Sequence, residues 1–335
     1  MRMTPVAAPA GKEERPAPRA IATLALVQRI GAVWIAVVLL YVVSGLVSPA
    51  MFKGSQVLNI LQVSAFLGTV ALGQTIALLV GGIDLSVAGV VTLTNIVVAS
   101  VMGGHASRIV PAVAVCAVLA AAIGLVNGLL VAVARITPLI VTLATNSILY
   151  GAALVYTKGA PHGSVASQFA SLGQGHLLGF PVSTICWLVL ALVCVWLLRG
   201  TTYGRKLYAL GANPRAARLM GVRVGPMLVS AYVLSSLLAA SGGLLLTAYI
   251  GLPSLGIGDQ FLLTSIAAPV VGGTLLTGGV GSIIGTVGGT LFVTELNSFT
   301  TILKVSTGGQ YILQGIIIAV GVMLYPIVGG RRGRV

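Results

Sequence analysis

Beyond residue 14 the chain holds three carboxylates, Asp84, Asp259 and Glu295. Asp84 lies in GGIDLS, residues 81–86, between two apolar runs, and Glu295 lies inside a third. An ionisable group at membrane depth is costly, so each asks for a functional explanation. Gly81 and Gly82 can break a helix and free its backbone amides and carbonyls. Ser86 is placed to cap the segment after the break, and Asp84 also accepts backbone N–H bonds well. Broken backbone at such depth survives only where it lines a polar cavity or is buried in protein. Two readings follow from the spacing. The break lies close to a solute path or its gate, or it is a cytoplasmic turn in which Asp84 caps the next helix.

A second candidate is GGTLLTGGVGSIIGTVGG, residues 272–289, with Gly272, Gly273, Gly278 and Gly279. Small residues let membrane helices approach closely and tolerate breaks, so tight packing and a pathway role are both open. Glu295 can pair with a backbone or polar group across the bundle, or couple a proton. Asn127 and Asn146, polar positions in apolar runs, complete the pathway candidates.

The third candidate is residues 199–226, with six basic side chains and no acid. Asn213 and Pro214 can start a short helix as its cap and first turn, and Gly221 can end it. Ala216, Ala217, Leu219 and Met220 then supply an apolar face. Such a helix suits force transmission from a soluble partner, or it rests on anionic lipid headgroups. The chain has no G-x-x-x-x-G-K-[ST] phosphate loop; its one Gly-Lys pair, Gly11-Lys12, precedes Glu13. Energy for any transport must come from a partner or an ion gradient.

Lipid is the solvent that the composition demands. Of 335 residues, 57% are hydrophobic and 7% charged, whereas a soluble domain carries about 25% charged residues. The net charge of +14 does not read as a nucleic-acid site, because the basic residues lie between apolar runs with no interleaved aromatic patch. Cys116, Cys186 and Cys194 sit inside apolar runs with no metal-ligand or disulfide spacing. Neither a metal nor a cofactor is expected.

Ten apolar runs are candidates to span: 30–48, 57–80, 85–102, 109–133, 136–157, 180–198, 227–250, 261–277, 282–302 and 310–328. With the amino terminus inside, fifteen Lys and Arg residues fall inside, and Lys53, Arg108, Lys158 and Lys304 fall outside. The expected fold is therefore an all-α polytopic membrane protein of about ten helices with cytoplasmic termini and broken helices near the glycine-rich segments. Residues 1–28 read as a disordered basic tail, 29–330 as the membrane domain and 331–335 as a second basic tail. Residues 158–179 form a long outer loop; His105, His162 and His176 fall on that side and read as solvated. IGLVNGLLV (123–131) echoes IGTVGGTLF (284–292), either a duplicated half or a chance match between glycine-rich helices.

From about Leu58 to Pro326 these segments, in this order, resemble the ribose-type permease family of ABC importers. GGIDLSV, residues 81–87, matches the family's GGIDLSVG signature, with Ala88 before Gly89. NGLLVAVARITPLIVTLAT (127–145) is similar to the stretch after its fourth span, and YGRKLYALGANPRAARLMGV (203–222) to its docking loop. SIAAPVVGGTLLTGGVGSIIGT (265–286) matches its glycine-rich segment, with Pro269 where an aliphatic residue is usual.

The resemblance implies a non-enzymatic translocation subunit in the plasma (inner) membrane. It implies a pore formed with a second copy or a sister permease and an extracytoplasmic solute-binding protein that delivers a sugar or similar small polar solute. It also implies a cytosolic ATPase docked around Arg205, Gly211, Asn213, Pro214, Ala217 and Gly221. The other classes weighed are an ion-coupled carrier using Asp84 or Glu295, and an intramembrane enzyme, for which no histidine lies inside a span.

Overall fold

An apolar segment in lipid must satisfy its own backbone, so the apolar runs fold as helices. The computed structural model describes residues 19–306, 308–316 and 319. Along the chain come α1 (Arg19–Val47), α2 (Gly54–Leu79), α3 (Val87–Met102), α4 (Ile109–Ala132), α5 (Pro138–Thr157) and α6 (Ser167–Gln174). After a hairpin of β1 (His176–Leu177) and β2 (Phe180–Pro181) come α7 (Val182–Val195), α8 (Thr202–Ala212) and α9 (Pro214–Leu219). Next are α10 (Val224–Ile250), α11 (Phe261–Val271) and α12 (Ile283–Ile302).

Helix α2 lies in the middle of the bundle, buried along almost its whole length from Ser64 onward. It packs against α7, α10, α11 and α12, while α10 also covers α3 and α4. Glycine sets these separations. A Cβ on Gly73 would stand 2.7 Å from the Ser235 carbonyl, and one on Gly124 2.6 Å from that of Tyr232. The outward faces of α4, α5 and α7 are Val, Leu and Ile, exposed in the isolated chain and suited to lipid. Among the described residues, five helical segments are long and apolar enough to cross a membrane: Gly54–Leu79, Ala106–Ala132, Pro138–Thr157, Val182–Gly200 and Val224–Ile250.

Several expected boundaries change. Among the described residues the first helix already runs from Arg19, inside the segment expected to be a tail to residue 28, and AIATLALVQR consists mostly of good helix formers; residues 1–18 lie outside the described ones. The expected span 261–277 is helical only to Val271, where Gly272 and left-handed Gly273 (φ 88°) turn the chain. That helix has 11 residues, about 16 Å at 1.5 Å per residue, too short to cross. Segment 158–179, expected as an outer loop, contains α6, held by Gln62 Nε2 donating to the Gly173 carbonyl at 2.6 Å and Gln174 Nε2 to that of Tyr249 at 2.8 Å. The three histidines are exposed. Most of the expected tenth span and the basic tail at 331–335 lie outside the described residues; 308–316 are helical.

Segment 251–260, between α10 and α11, is irregular and tied to α3, with only Gly258 buried. Asn95 Nδ2 donates to Thr247 Oγ1 at 3.0 Å and to the Leu252 carbonyl at 3.2 Å, and Asn95 Oδ1 accepts from Ser254 N at 2.7 Å. Thr92 Oγ1 accepts from Gly258 N at 3.0 Å. Side chains of α3 thus supply the partners that a helix would have supplied itself.

Helices α11 and α12 touch backbone to backbone: a Cβ on Gly289 would fall on the Ala268 carbonyl. Gly289→Ala should destabilise the protein by about 1–3 kcal/mol, the usual cost of overpacking. Gly151→Ala, with nothing within 4 Å of the added Cβ, should leave the thermal unfolding midpoint in detergent unchanged or slightly raised. Equal midpoints for the two variants would refute the tight crossing.

Candidate functional site

Helix α2 ends in a Schellman turn. Gly81 N donates to the Leu78 carbonyl at 2.9 Å and Gly82 N to that of Ala77 at 3.0 Å, with Gly81 left-handed at φ 77°. The chain then runs without regular structure through Ile83 to Asp84, which is 0% exposed. A bare carboxylate there would be ruinous, and every oxygen is occupied. Asp84 Oδ1 accepts from Ser86 N at 3.0 Å and Ser86 Oγ at 2.5 Å, and Oδ2 accepts from Ser235 Oγ of α10 at 2.7 Å.

The network reaches further helices. Asn127 Nδ2 of α4 donates to Ser86 Oγ at 2.9 Å, and Thr145 Oγ1 of α5 donates to Asn127 Oδ1 at 2.6 Å. Thr142 Oγ1 donates to the Ile83 carbonyl at 3.1 Å. With its amide oriented to suit these neighbours, Gln74 of α2 donates to the Asp84 carbonyl at 2.9 Å and accepts from Asp84 N at 3.3 Å. The break is therefore tied to α2, α4, α5 and α10 at once.

Ser86 does not cap α3 as expected. Its backbone is already helical (φ −71°, ψ −13°) and its hydroxyl makes no capping bond. The hydroxyl turns to Asp84 because a carboxylate is the stronger acceptor. Nor is the segment an exposed turn, since Gly82, Asp84, Leu85 and Ser86 are all buried. Tyr232 Oη, buried with no hydrogen-bond partner, occupies the space that a Cβ on Gly82 would need.

The glycine turn meets this break from the other side. Gly279 N donates to the Leu79 carbonyl at 2.9 Å. A Cβ on Gly278 would stand 2.8 Å from Gly81 N and 3.1 Å from the Gly211 carbonyl, and one on Gly279 2.7 Å from Ala212 Cα. A Cβ on Gly211 would fall on the Leu79 carbonyl. Three backbones thus converge: the end of α2, the turn before α12 and the end of α8. Tyr208 Oη of α8 adds a bond to the Gly281 carbonyl at 3.0 Å. Burial raises the Tyr208 phenol above its ordinary pKa, with Arg199 opposing, which keeps it a donor.

Segment 199–226 holds α8 and α9 rather than one short helix. Asn213 Oδ1 caps α9, accepting from Arg215 N at 3.0 Å and Ala216 N at 3.1 Å, with Pro214 in the first turn and left-handed Gly221 (φ 80°) beyond its end. The expected apolar face divides. Ala217 is buried inward, whereas Leu219 and Met220 are 90% and 70% exposed. Arg205 is exposed on α8.

The remaining candidates lie apart. Gly272 packs on the Gly285 backbone, a helix contact rather than a polar lining. Asn146 of α5 stands against Gly89 of α3, close to where a Cβ would be. Glu295 is 3% exposed and accepts from Ser44 Oγ of α1 at 3.4 Å, sharing no hydrogen-bond partner with Asp84. Sequence reasoning missed Gln74, Thr142, Thr145, Tyr232 and Ser235, and the Thr92–Asn95 support of segment 251–260. The available signal was polar residues interrupting otherwise apolar helices.

A bundle with broken helices bound through buried polar groups is the architecture of a membrane transport protein. Residues 56–322 match the family described as branched-chain amino acid transport system / permease component. The chain belongs to that family, and its place is the inner membrane. It is 36% identical over 297 residues to the ribose import permease protein RbsC of Bacillus subtilis (strain 168), covering 85% of this chain and 89% of that one. Identity to RbsC of Escherichia coli (strain K12) is also 36%, over 294 residues, 87% of this chain and 91% of that one. The galactose/methyl galactoside import permease protein MglC of the same strain is 34% identical over 321 residues, 90% of this chain and 95% of that one. No solved structure gives a significant match.

Because three donors converge on Asp84, its interaction with Ser235 should be strongly coupled. Asp84→Ala and Ser235→Ala should each destabilise, and the double variant should lose less than their sum by about 0.5–3 kcal/mol. Chemical unfolding in detergent measures the cycle; additive effects would break the link between α10 and the carboxylate.

Proposed function

We propose that the chain is the translocation subunit of an ATP-driven importer for a monosaccharide. It would work as a dimer with a second copy or a sister permease. A cytosolic ATPase would dock on 199–226 and an extracytoplasmic binding protein would deliver solute to the face carrying 158–179. Ten crossings with cytoplasmic termini, as charge sidedness suggests, remain part of this reading. The curated relatives, import permeases for ribose and galactose, support the class and the cargo.

The observation that carries the reading is the three-backbone junction. It puts the segment with exposed Leu219 and Met220 in direct line with the Asp84 break. A push on α9 and α8 would reach Leu79–Gly82 with no flexible side chain between. Gly81, Gly82, Asp84, Ser86, Asn127, Gly278 and Gly279 then belong to the moving gate, and Asn146 on α5 to the adjoining wall. Gly272 and Gly273 form the hinge of the α11–α12 hairpin, and Glu295 is a packing group.

An ion-coupled carrier needs a carboxylate that can meet the ion from the path. Asp84 has both oxygens engaged inside protein, and Glu295 faces α1. These placements support partner-driven transport.

Exposed apolar anchors dominate small docking surfaces, so Leu219→Asp with Met220→Asp should cut ATPase co-purification by about ten-fold or more. The permease itself should stay inserted and folded. Glu295→Gln should leave ATP-driven uptake in proteoliposomes within about two-fold, because it keeps shape and removes only a charge. Undiminished ATPase capture by the aspartate variant would end the docking proposal. Gradient-driven uptake by the isolated chain, lost in Glu295→Gln, would transfer the case to the carrier.

A further inference from the structure

Tyr232 of α10 is 0% exposed, and among the described residues its hydroxyl has no hydrogen-bond partner. A buried hydroxyl left in that condition raises the free energy of the state that contains it. A phenyl ring of the same shape would not. The residue is held firmly in place. Gly124 brings α4 so close that a Cβ there would stand 2.6 Å from the Tyr232 carbonyl oxygen. At the other end of the side chain, Oη rests on the Gly82 backbone, in the space that a Cβ would take. The spare donor is thus pressed against the break itself.

The acceptors of the break are unevenly used. The Ala77 carbonyl already takes two amides, Val80 N at 3.3 Å and Gly82 N at 3.0 Å. Asp84 Oδ1 takes two donors, both from Ser86. Among the described residues Asp84 Oδ2 takes one, Ser235 Oγ. A carboxylate oxygen accommodates two donors, so Oδ2 has a place left. Ser235 follows Tyr232 by three residues on α10, the spacing that sets two side chains on one helix face. An unpartnered donor and a half-used carboxylate oxygen therefore share one face of α10. Asp84 lies two residues beyond the glycine that the hydroxyl covers.

We propose that Tyr232 is a positioning residue of the gate: when the segment 81–86 shifts, its hydroxyl donates to Asp84 Oδ2 and holds the segment in a second position. What that shift serves rests on the proposed function; the pairing does not. In the position described here the hydroxyl is a cost, and in the second it gains a charge-assisted bond. One side chain thereby brings two positions of the break close in free energy, so that a modest load can exchange them.

Tyr232→Phe keeps the ring and removes the hydroxyl, so stability and transport should move in opposite directions. In the full purified chain in detergent the thermal midpoint should rise by about 2–4 °C. Amide hydrogen exchange at residues 81–86 should slow about ten-fold or more relative to that of α7, because the second position is less populated. In proteoliposomes with the ATPase and the binding protein, the maximal rate of ATP-driven uptake should fall about ten-fold. The half-saturating solute concentration should stay at the wild-type value. A lowered midpoint would show the hydroxyl satisfied where it stands, as by a buried water, and would overturn the proposal. Wild-type exchange at 81–86 or an undiminished uptake rate would overturn it too. Slowed exchange, in a chain whose wild type gives no ATP-driven uptake, would sink the proposed function and leave the Tyr232–Asp84 pairing standing.

Discussion

In hydrocarbon an unpaired backbone amide or carbonyl has no water to turn to, and that cost governs this chain wherever a helix stops. Three stops lie within the bundle: after α2, between α10 and α11, and between α11 and α12. Each has its own remedy. The first uses a Schellman turn plus Gln74, Thr142 and the Asp84 carboxylate. The second borrows Thr92 and Asn95 from α3. The third leans on the first, through Gly279 N and the Leu79 carbonyl. The polar side chains of these networks therefore gather where the backbone is broken, and a break is where a helical wall can change shape.

The same constraint explains the glycines. At the junction of Gly81, Gly211 and Gly279 the contacts run from backbone to backbone, with no side chain to absorb a shift by changing rotamer. Packed backbone transmits displacement because interiors have little free volume. Within the proposed function this makes α8 and the end of α2 one mechanical piece. Exposed Leu219 and Met220 form its handle and the Asp84 network its far end.

Much of this was legible in the sequence. The apolar runs gave most of the helices, and Asn213-Pro214 with Gly221 marked α9 to within a residue. GGIDLS and the 272–289 glycines marked two of the three breaks. The part that was not legible has a common cause. Ser86 looks like a cap from its position, but its hydroxyl answers to a carboxylate two residues away in the chain. Ser235, Tyr232 and Gln74 are ordinary polar residues until folding sets them around Asp84. Segment 251–260 reads as a connector, and only α3 beside it reveals that it is tied down. Periodicity reports which face of a helix is apolar; it carries no information on which polar atoms will meet.

Helix α10 shows how few parts need to move. It contributes Ser235 to Asp84, Thr247 to the Asn95 support of segment 251–260, and Val229, Ser230 and Val233 to an apolar groove against α4. Gly124 and Gly128 press α4 onto its backbone, so the two helices shift together or not at all. Within the proposed function, this rigid pair has the gate near its middle, the ATPase-docking segment at one end and segment 251–260 at the other, and would tilt as a lever when either end is loaded. On that reading solute on one side and a motor on the other would bias a single equilibrium, since each would load a different end of the same body.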